Sequence, residues 1–316
     1  MQGFTQRSMV LAGIAALGAA AAACERSGAA SVEREARVEG AVRAAGAGSA
    51  WIALPGDCRG AWWDARAGSL VLTDVTHDEL IEWREGAGFR TVAKLPPASS
   101  LGGVVRLADG RFVVSSFGFG EGAIYVIEDG RVRPLAGLDP GRRRTALALA
   151  PDGAVYAAYF AVAPRGVPRG GVSRLGLGRE GGGEVDVVTT ADLRKPEGLA
   201  ATEAALYVTD QHRAALYMVP RDGAGAGAAA VATVAPDLPE PALVAAIPGG
   251  ELIAVSRAGV VFRVPAGGPA VQIARGEGEV RGVAYDPARR RLFLLEPRAG
   301  APDAPRHRLR ILEVAR

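Results

Sequence analysis

Two histidines in this chain follow an aspartate that closes an apolar run. One run ends Thr73-Asp74-Val75-Thr76-His77, the other Thr209-Asp210-Gln211-His212. An imidazole within reach of a carboxylate can shuttle a proton near neutral pH, and the same pair can ligate a metal. The competing reading is turn chemistry, in which Thr and Asp at a strand end take up local backbone hydrogen bonds and the His is loop surface. Turn chemistry is the expected outcome. His307, between Arg306 and Arg308, is expected to be exposed. No Walker loop, zinc-spaced cysteine pair, G-x-S-x-G elbow or H-E-x-x-H run is present. GLGREG at Gly176 to Gly181 has the letters of a dinucleotide fingerprint but no strand–helix context, so it is expected to be a hairpin loop, and GFGEGA from Gly118 a turn.

Both Thr-Asp segments belong to a phrase repeated six times: a small residue, an apolar strand A, a turn and a second apolar strand B. It begins at Gly60, Gly102, Thr145, Gly198, Ala242 and Gly282. A period of roughly 40 to 50 residues marks radial β-sheet repeats, not helical solenoids. In the first repeat the strands are Ala61 to Asp64, Leu70 to Asp74, Leu80 to Glu85 and Phe89 to Leu95. Gly-rich excursions at Gly176 to Gly183 and Gly223 to Ala229 fall between strands C and D. The sixth repeat lacks a strand, and an orphan, Ala50 to Leu54, precedes the first. Pairing orphan with last strand removes the open sheet edges. Residues 50–316 are therefore predicted to form an all-β, six-bladed β-propeller whose last blade is closed by the N-terminal strand.

Antiparallel pairing puts the start of each strand A and the end of each strand B on one face. That mouth collects Arg59, Leu101, Arg144, Glu197, Pro241 and Arg281 with Asp74, Ser116, Tyr159, Asp210, Ser256 and Glu296. His77 and His212 belong to the same face, and Glu240 sits one step out of register. Arg59, Asp74, Arg144, Glu197, Asp210, His212 and Arg281 are the candidate ligand-facing residues. Trp62 and Trp63 alternate on strand A and, with Trp83, are expected to pack between blades.

Before the repeats, Arg7 precedes an apolar run from Met9 to Ala23. This is the layout of an export signal, 1–23, and is short for a membrane span. Ala21-Ala22-Ala23-Cys24 resembles a lipobox with Ala at the position usually held by Leu. Cys24 is then the lipidation site and 24–49 a flexible tether. The expected location is outside the cytoplasm: a membrane-anchored lipoprotein, or a periplasmic or extracellular protein. Simple secretion and an uncleaved anchor are the alternatives. Acylated Cys24 leaves Cys58 as a lone, buried thiol; without acylation a Cys24–Cys58 disulfide is open. A net charge of +3, with Arg scattered through loops, argues against nucleic acid as a partner. Hydrophobic residues at 49% supply a sizeable core, and a monomer is expected.

GAWWDARAGSLVLTD with ELIEW in blade one, and KPEGLAATEAALYVTD in blade four, resemble the gluconolactonase, regucalcin (senescence marker protein) and luciferin-regenerating enzyme family. The resemblance is sharp over about forty residues and extends, as blade pattern, over most of 50–316. It implies a divalent metal, often calcium, on the axis, held by a Glu before the Gly of blade one, an Asn before that of blade four and an Asp before that of blade five. The matching positions are Arg59, Glu197 and Pro241, or Glu240 if the register slips by one. The family's blade-three substrate Asn has no match near Arg144 to Ala146. A guanidinium offers no lone pair, and at about 4 Å and an effective dielectric of about 20 its repulsion of a dication is roughly 8 kcal/mol. No metal and no cofactor are therefore expected, and an Arg59–Glu197 ion pair could span the mouth instead. The leading expectation is a propeller that binds a small molecule or an envelope protein without metal. The alternative is a lactone or ester hydrolase with altered calcium or other divalent ligation, using Glu197, Glu240 and Asp210. A purely structural envelope protein is the third.

Overall fold

The computed structural model describes residues 51–97, 100–118, 122–161, 166–178, 182–190, 192–221, 231–276, 278–297 and 306–314. The export signal, Cys24 and tether expected over 1–49 lie outside these residues, as does the whole of the second Gly-rich excursion, 223–229.

Strand β1 (Ile52–Ala53) precedes the first blade, which is β2 (Cys58–Asp64), β3 (Ser69–Asp74), β4 (Glu79–Arg84) and β5 (Gly88–Lys94). Blade two is β6 (Leu101–Arg106), β7 (Phe112–Ser116), β8 (Ala123–Glu128) and β9 (Arg131–Pro134). Blade three is β10 (Arg142–Leu149), β11 (Val155–Ala161), β12 (Arg169–Leu175) and β13 (Glu184–Thr189). Blade four is β14 (Pro196–Ala201), β15 (Ala205–Asp210), β16 (Ala215–Pro220) and β17 (Ala232–Ala235). Blade five is β18 (Pro241–Ile247), β19 (Glu251–Ser256), β20 (Val260–Val264) and β21 (Val271–Arg275). Blade six is β22 (Gly282–Asp286), β23 (Arg291–Pro297) and β24 (His307–Glu313), completed by β1.

Each blade is an antiparallel meander, as short alternating strands joined by Gly-bearing turns dictate. The inner strands β2, β6, β10, β14, β18 and β22 neighbour one another in that order, and β22 returns to β2, so the ring is closed. Closure comes as the orphan strand implied: Ile52 pairs with Leu309 and Ala53 with Arg308. The Leu54 amide donates to the His307 carbonyl at 3.0 Å, and the Arg308 guanidinium lies 3.5 Å from the Trp51 ring centre.

The core is six separate interblade layers. In β3, Leu70 and Leu72 pack toward blade six while Val71 packs toward blade two, because successive strand residues face opposite sides of the sheet. Trp63 stacks on Phe293 of blade six with centroids 5.1 Å apart, and Trp83 meets the same ring edge-on at 6.1 Å. Trp62 packs on the other side, against blades two and three.

The inner strands converge so closely that side chains are excluded at their starts. A Cβ on Gly60 would lie 2.0 Å from the Gly102 carbonyl oxygen. Thr73 fills the remaining polar need: its hydroxyl accepts from the Gly60 amide at 2.8 Å and donates to the Gly102 carbonyl of blade two at 3.0 Å. Thr209 repeats this, accepting from Gly198 at 2.8 Å and donating to Ala242 of blade five at 3.2 Å. In blade three, where Ala158 replaces the threonine, Thr145 on the inner strand reaches Pro196 of blade four at 2.9 Å. Gly60→Ala should therefore push blade one from blade two and lower stability by about 1–3 kcal/mol in urea unfolding. An unchanged unfolding midpoint would contradict this packing account.

Candidate functional site

Five of the six blades break register where the inner strand begins: between Cys58 and Ala61, Leu101 and Val104, Arg144 and Ala146, Pro196 and Gly198, and Pro241 and Leu243. A bulge re-aims the residues inside it. Cys58, Leu101, Arg144, Pro196 and Pro241 pair across to the end of strand B and are buried in the blade. The next residues, Arg59, Gly102, Thr145, Glu197 and Ala242, line the axial cavity, joined by Arg281 of blade six.

That cavity, about 600 Å³, runs the length of the inner strands. Gly60, Ala61, Gly103, Ala146, Ala200 and Ala245 wall it, so the close approach that excludes bulk from the strands also keeps the channel open. At the mouth Arg143, Lys195, Arg257, Glu279, Phe117 and Phe160 join the ring of bulge residues. Arg143, Lys195 and Glu279 stand two residues before a ring residue, as the strand period requires. Asp57, equally two before Arg59, is held by both neighbouring guanidiniums: Arg59 Nη2 at 3.2 Å and Arg281 Nη1 at 2.6 Å. Arg281 also meets Glu279 at 3.1 Å, and Glu279 meets Arg257 at 3.3 Å. Burial pushes the Arg281 guanidinium down, but Asp57 and Glu279 outweigh it and hold its pKa above the ordinary value. Across the mouth, Lys195 Nζ lies 2.9 Å from Glu197 Oε1. Arg143 and Lys195 flank Phe160 at 6.0 and 5.9 Å from its ring centre.

Of the residues expected at the mouth, the structure brings Arg59, Glu197 and Arg281 together on the cavity wall. The anticipated Arg59–Glu197 pair is not formed, because each has a nearer partner: Asp57 for Arg59 and Lys195 for Glu197. Arg144 is not at the mouth. The register break turns it into the blade, fully buried, where it bonds the carbonyls of Gly122 at 2.8 Å and Asp139 at 2.9 Å and the carboxylate of Glu184 at 2.5 Å. Its neighbour Arg143 takes the cavity place. Asp210 is buried and takes up the amides of Arg194 at 2.5 Å, Lys195 at 3.0 Å and Arg213 at 3.0 Å. It organises the loop that carries Lys195 and does not line the cavity. His212 is exposed outside the cavity, and Glu240 is an exposed residue with φ of 43° whose carbonyl accepts from Arg257.

Asp74, also buried, caps its loop through the Thr76 amide at 2.9 Å and holds His77 Nδ1 at 2.8 Å. That hydrogen bond, with the carboxylate's charge, raises the His77 pKa. The pair stands beside the mouth, outside the cavity lining, so turn chemistry accounts for both aspartates, while the threonines bridge blades. Cys58 is a buried free thiol, its pKa raised by burial and then by Asp74 and Asp57. Lys195, Arg257, Glu279, Asp57, Phe117 and Phe160 went unanticipated. The signal for them is the period of two counted outward from the ring, and the residue following each strand B.

The chain matches the SMP-30/gluconolactonase/LRE-like family model over residues 58–273 and belongs to that family. No curated protein matches it. A gluconolactonase from Xanthomonas campestris superposes with a TM-score of 0.60 at 23% identity, covering 81% of this chain and 86% of that one. A calcium-binding regucalcin from Agrobacterium tumefaciens gives 0.61 at 14%, covering 83% and 91%. Virginiamycin B lyase from Staphylococcus aureus gives 0.56 at 15%, covering 83% of each. These likenesses establish the fold; three differently named proteins on one scaffold leave the chemistry to the site.

The family's axial calcium does not fit these residues. The structural register puts Ala242, not Pro241 or Glu240, at the blade-five position, beside Arg59 and Glu197. Only Glu197 among the ring residues carries a carboxylate, and it is bound to Lys195. Calcium needs six to eight oxygens. Among the described residues no group of three His, Cys, Asp or Glu could hold a metal ion.

The register difference between adjacent arginines is directly measurable. Arg144→Leu takes the nearest cation from the buried Glu184 carboxylate and a donor from the Gly122 carbonyl, and should cost about 3–5 kcal/mol of stability. Arg143→Leu, at the partly open mouth, should cost at most about 1 kcal/mol. Equal losses in chemical denaturation would refute the assignment.

Proposed function

We propose that this chain is an exported, lipid-anchored propeller that binds a ligand at its axial mouth without a metal. The observation carrying the reading is the replacement of the family's metal ligands by Arg59 and Ala242, with the remaining Glu197 neutralised by Lys195. A dication there would meet two guanidiniums and one engaged carboxylate. The cavity, about 600 Å³ with mostly Gly, Ala and aliphatic walls, is in the range of small-molecule sites, which favours a small molecule over an envelope protein as occupant.

A lactone or ester hydrolase is the second reading, favoured by family membership and by Glu197, whose carboxylate reaches the channel from a family ligand position. Asp210 and Glu240 lend it little, being respectively committed to loop amides and exposed outside the cavity.

Thermal unfolding in millimolar calcium and in EDTA separates the two. A bound metal at a hundredfold its Kd adds about 2.7 kcal/mol, several degrees in Tm. Coincident curves are expected; a calcium-dependent rise of that size, or lactone turnover lost in Glu197→Gln, would establish the second reading. The anchor rests on Ala21-Ala22-Ala23-Cys24. Cys24→Ser should release the protein from the membrane fraction, and unchanged fractionation would count against lipidation.

A further inference from the structure

The axial cavity is electrically one-ended. Its lining includes five cations, Arg59, Arg143, Lys195, Arg257 and Arg281, against two carboxylates, Glu197 and Glu279. Counting Asp57 behind Arg59 and Arg281 leaves five against three. All stand where the inner strands start or the second strands end. The other end, about 13 Å away at four strand steps of about 3.3 Å, is lined by Trp63, Leu149, Ala201, Ala246 and Tyr285, with no charged side chain among the described lining residues. Between them the wall is mostly Gly, Ala, Val and Leu. A cleft with a surplus of one sign and low-dielectric walls concentrates its field on the opening. A neutral ligand gains nothing from that field and a cation is repelled.

Resting on the metal-free reading above, we propose that the mouth selects a small amphiphilic organic anion. Its carboxylate or phosphate head sits between Arg143 and Lys195 on one side and the Arg59, Arg281 and Arg257 cluster on the other. Its apolar body runs down the channel toward Trp63 and Tyr285. Phe160, with Arg143 and Lys195 over its ring, helps position both cations at the mouth. The ion pairs of Asp57, Glu197 and Glu279 fix the guanidinium and ammonium heads in place, so an arriving anion meets a preorganised set of donors.

The test uses four probes that share one apolar body: 4-phenylbutyrate, 4-phenylbutyl phosphate, 4-phenylbutanol and 4-phenylbutylamine. Binding to the full chain in EDTA is read by calorimetry at 50 and 500 mM NaCl. Both anions should bind at least about tenfold tighter than the alcohol, the amine weakest, and the anion advantage should shrink in high salt. The tighter of the two anions identifies the head. Inorganic phosphate should compete with both, and Arg143→Gln with Lys195→Gln should abolish the advantage over the alcohol while the protein stays folded and still binds the alcohol. Salt dependence in the unaltered protein decides the matter if the double variant does not fold. Equal affinities for anion, alcohol and amine, or no binding of either anion, would overturn the proposal while leaving metal-free binding standing. Anion binding that appears only when calcium replaces EDTA would overturn the metal-free reading.

Discussion

Six inner strands must pass one another at their starting ends with almost no room, and the rest of the molecule follows from how that is managed. Backbone carbonyls of one blade face backbone amides of the next, with Gly60, Gly103 and Gly198 leaving no side chain between them. A buried amide or carbonyl left unpaired there would cost about 1–3 kcal/mol. Thr73 and Thr209 answer for both at once, each hydroxyl accepting within its blade and donating to its neighbour. The Thr-Asp ending repeated in blades one and four is thus a division of labour. The threonine joins blades, and the aspartate ties down the loop beyond.

The bulges fall at the same strand starts. Each adds to the inner strand a residue that has no partner across the ladder. The residue so displaced is turned toward the axis. Fold class, blade limits and ring closure were legible in the sequence because they rest on alternation and turn residues, which are local. Arg59, Glu197 and Arg281 were legible because each immediately precedes a glycine of the inner strand. Arg144 was misplaced because blade three, like blade five, has no glycine at its bulge, so Thr145 and Ala146 carry no mark of it. Nothing local tells the buried arginine from the one before it. The partners that hold Arg144 inward include the Glu184 carboxylate, forty residues on, and the Gly122 carbonyl, twenty-two residues back.

Electrostatics act oppositely at those two arginines. Around Arg144 every donor is matched by a carbonyl or carboxylate, and truncation would take from the buried Glu184 carboxylate its nearest cation. At the mouth, side chains stay partly wet, so each pair adds about 0–1 kcal/mol to stability. Their value is in position. Lys195 is held by its loop, which Asp210 organises through the Arg194 and Lys195 amides, so a buried carboxylate outside the cavity sets where a cavity cation stands.

This also bears on what stands where the resemblance implies a metal. The resemblance implies an ion tying blades one, four and five. Here a continuous ionic chain runs from Arg59 through Asp57, Arg281 and Glu279 to Arg257, spanning blades one, six and five, while blade four turns inward to its own Lys195. A divalent ion would concentrate two positive charges on the axis; this mouth spreads five cations around it. An ion on the axis polarises an oxygen at one point; a rim of guanidiniums presents planar, multidentate donors around an open centre. The first arrangement suits activation of a carbonyl, and the second suits retention of a finished anion. Arg59, where the resemblance implies Glu, therefore changes the kind of work the cavity can do: a Glu there would face the Asp57 carboxylate and leave Arg281 as the one guanidinium of the pair that now holds it.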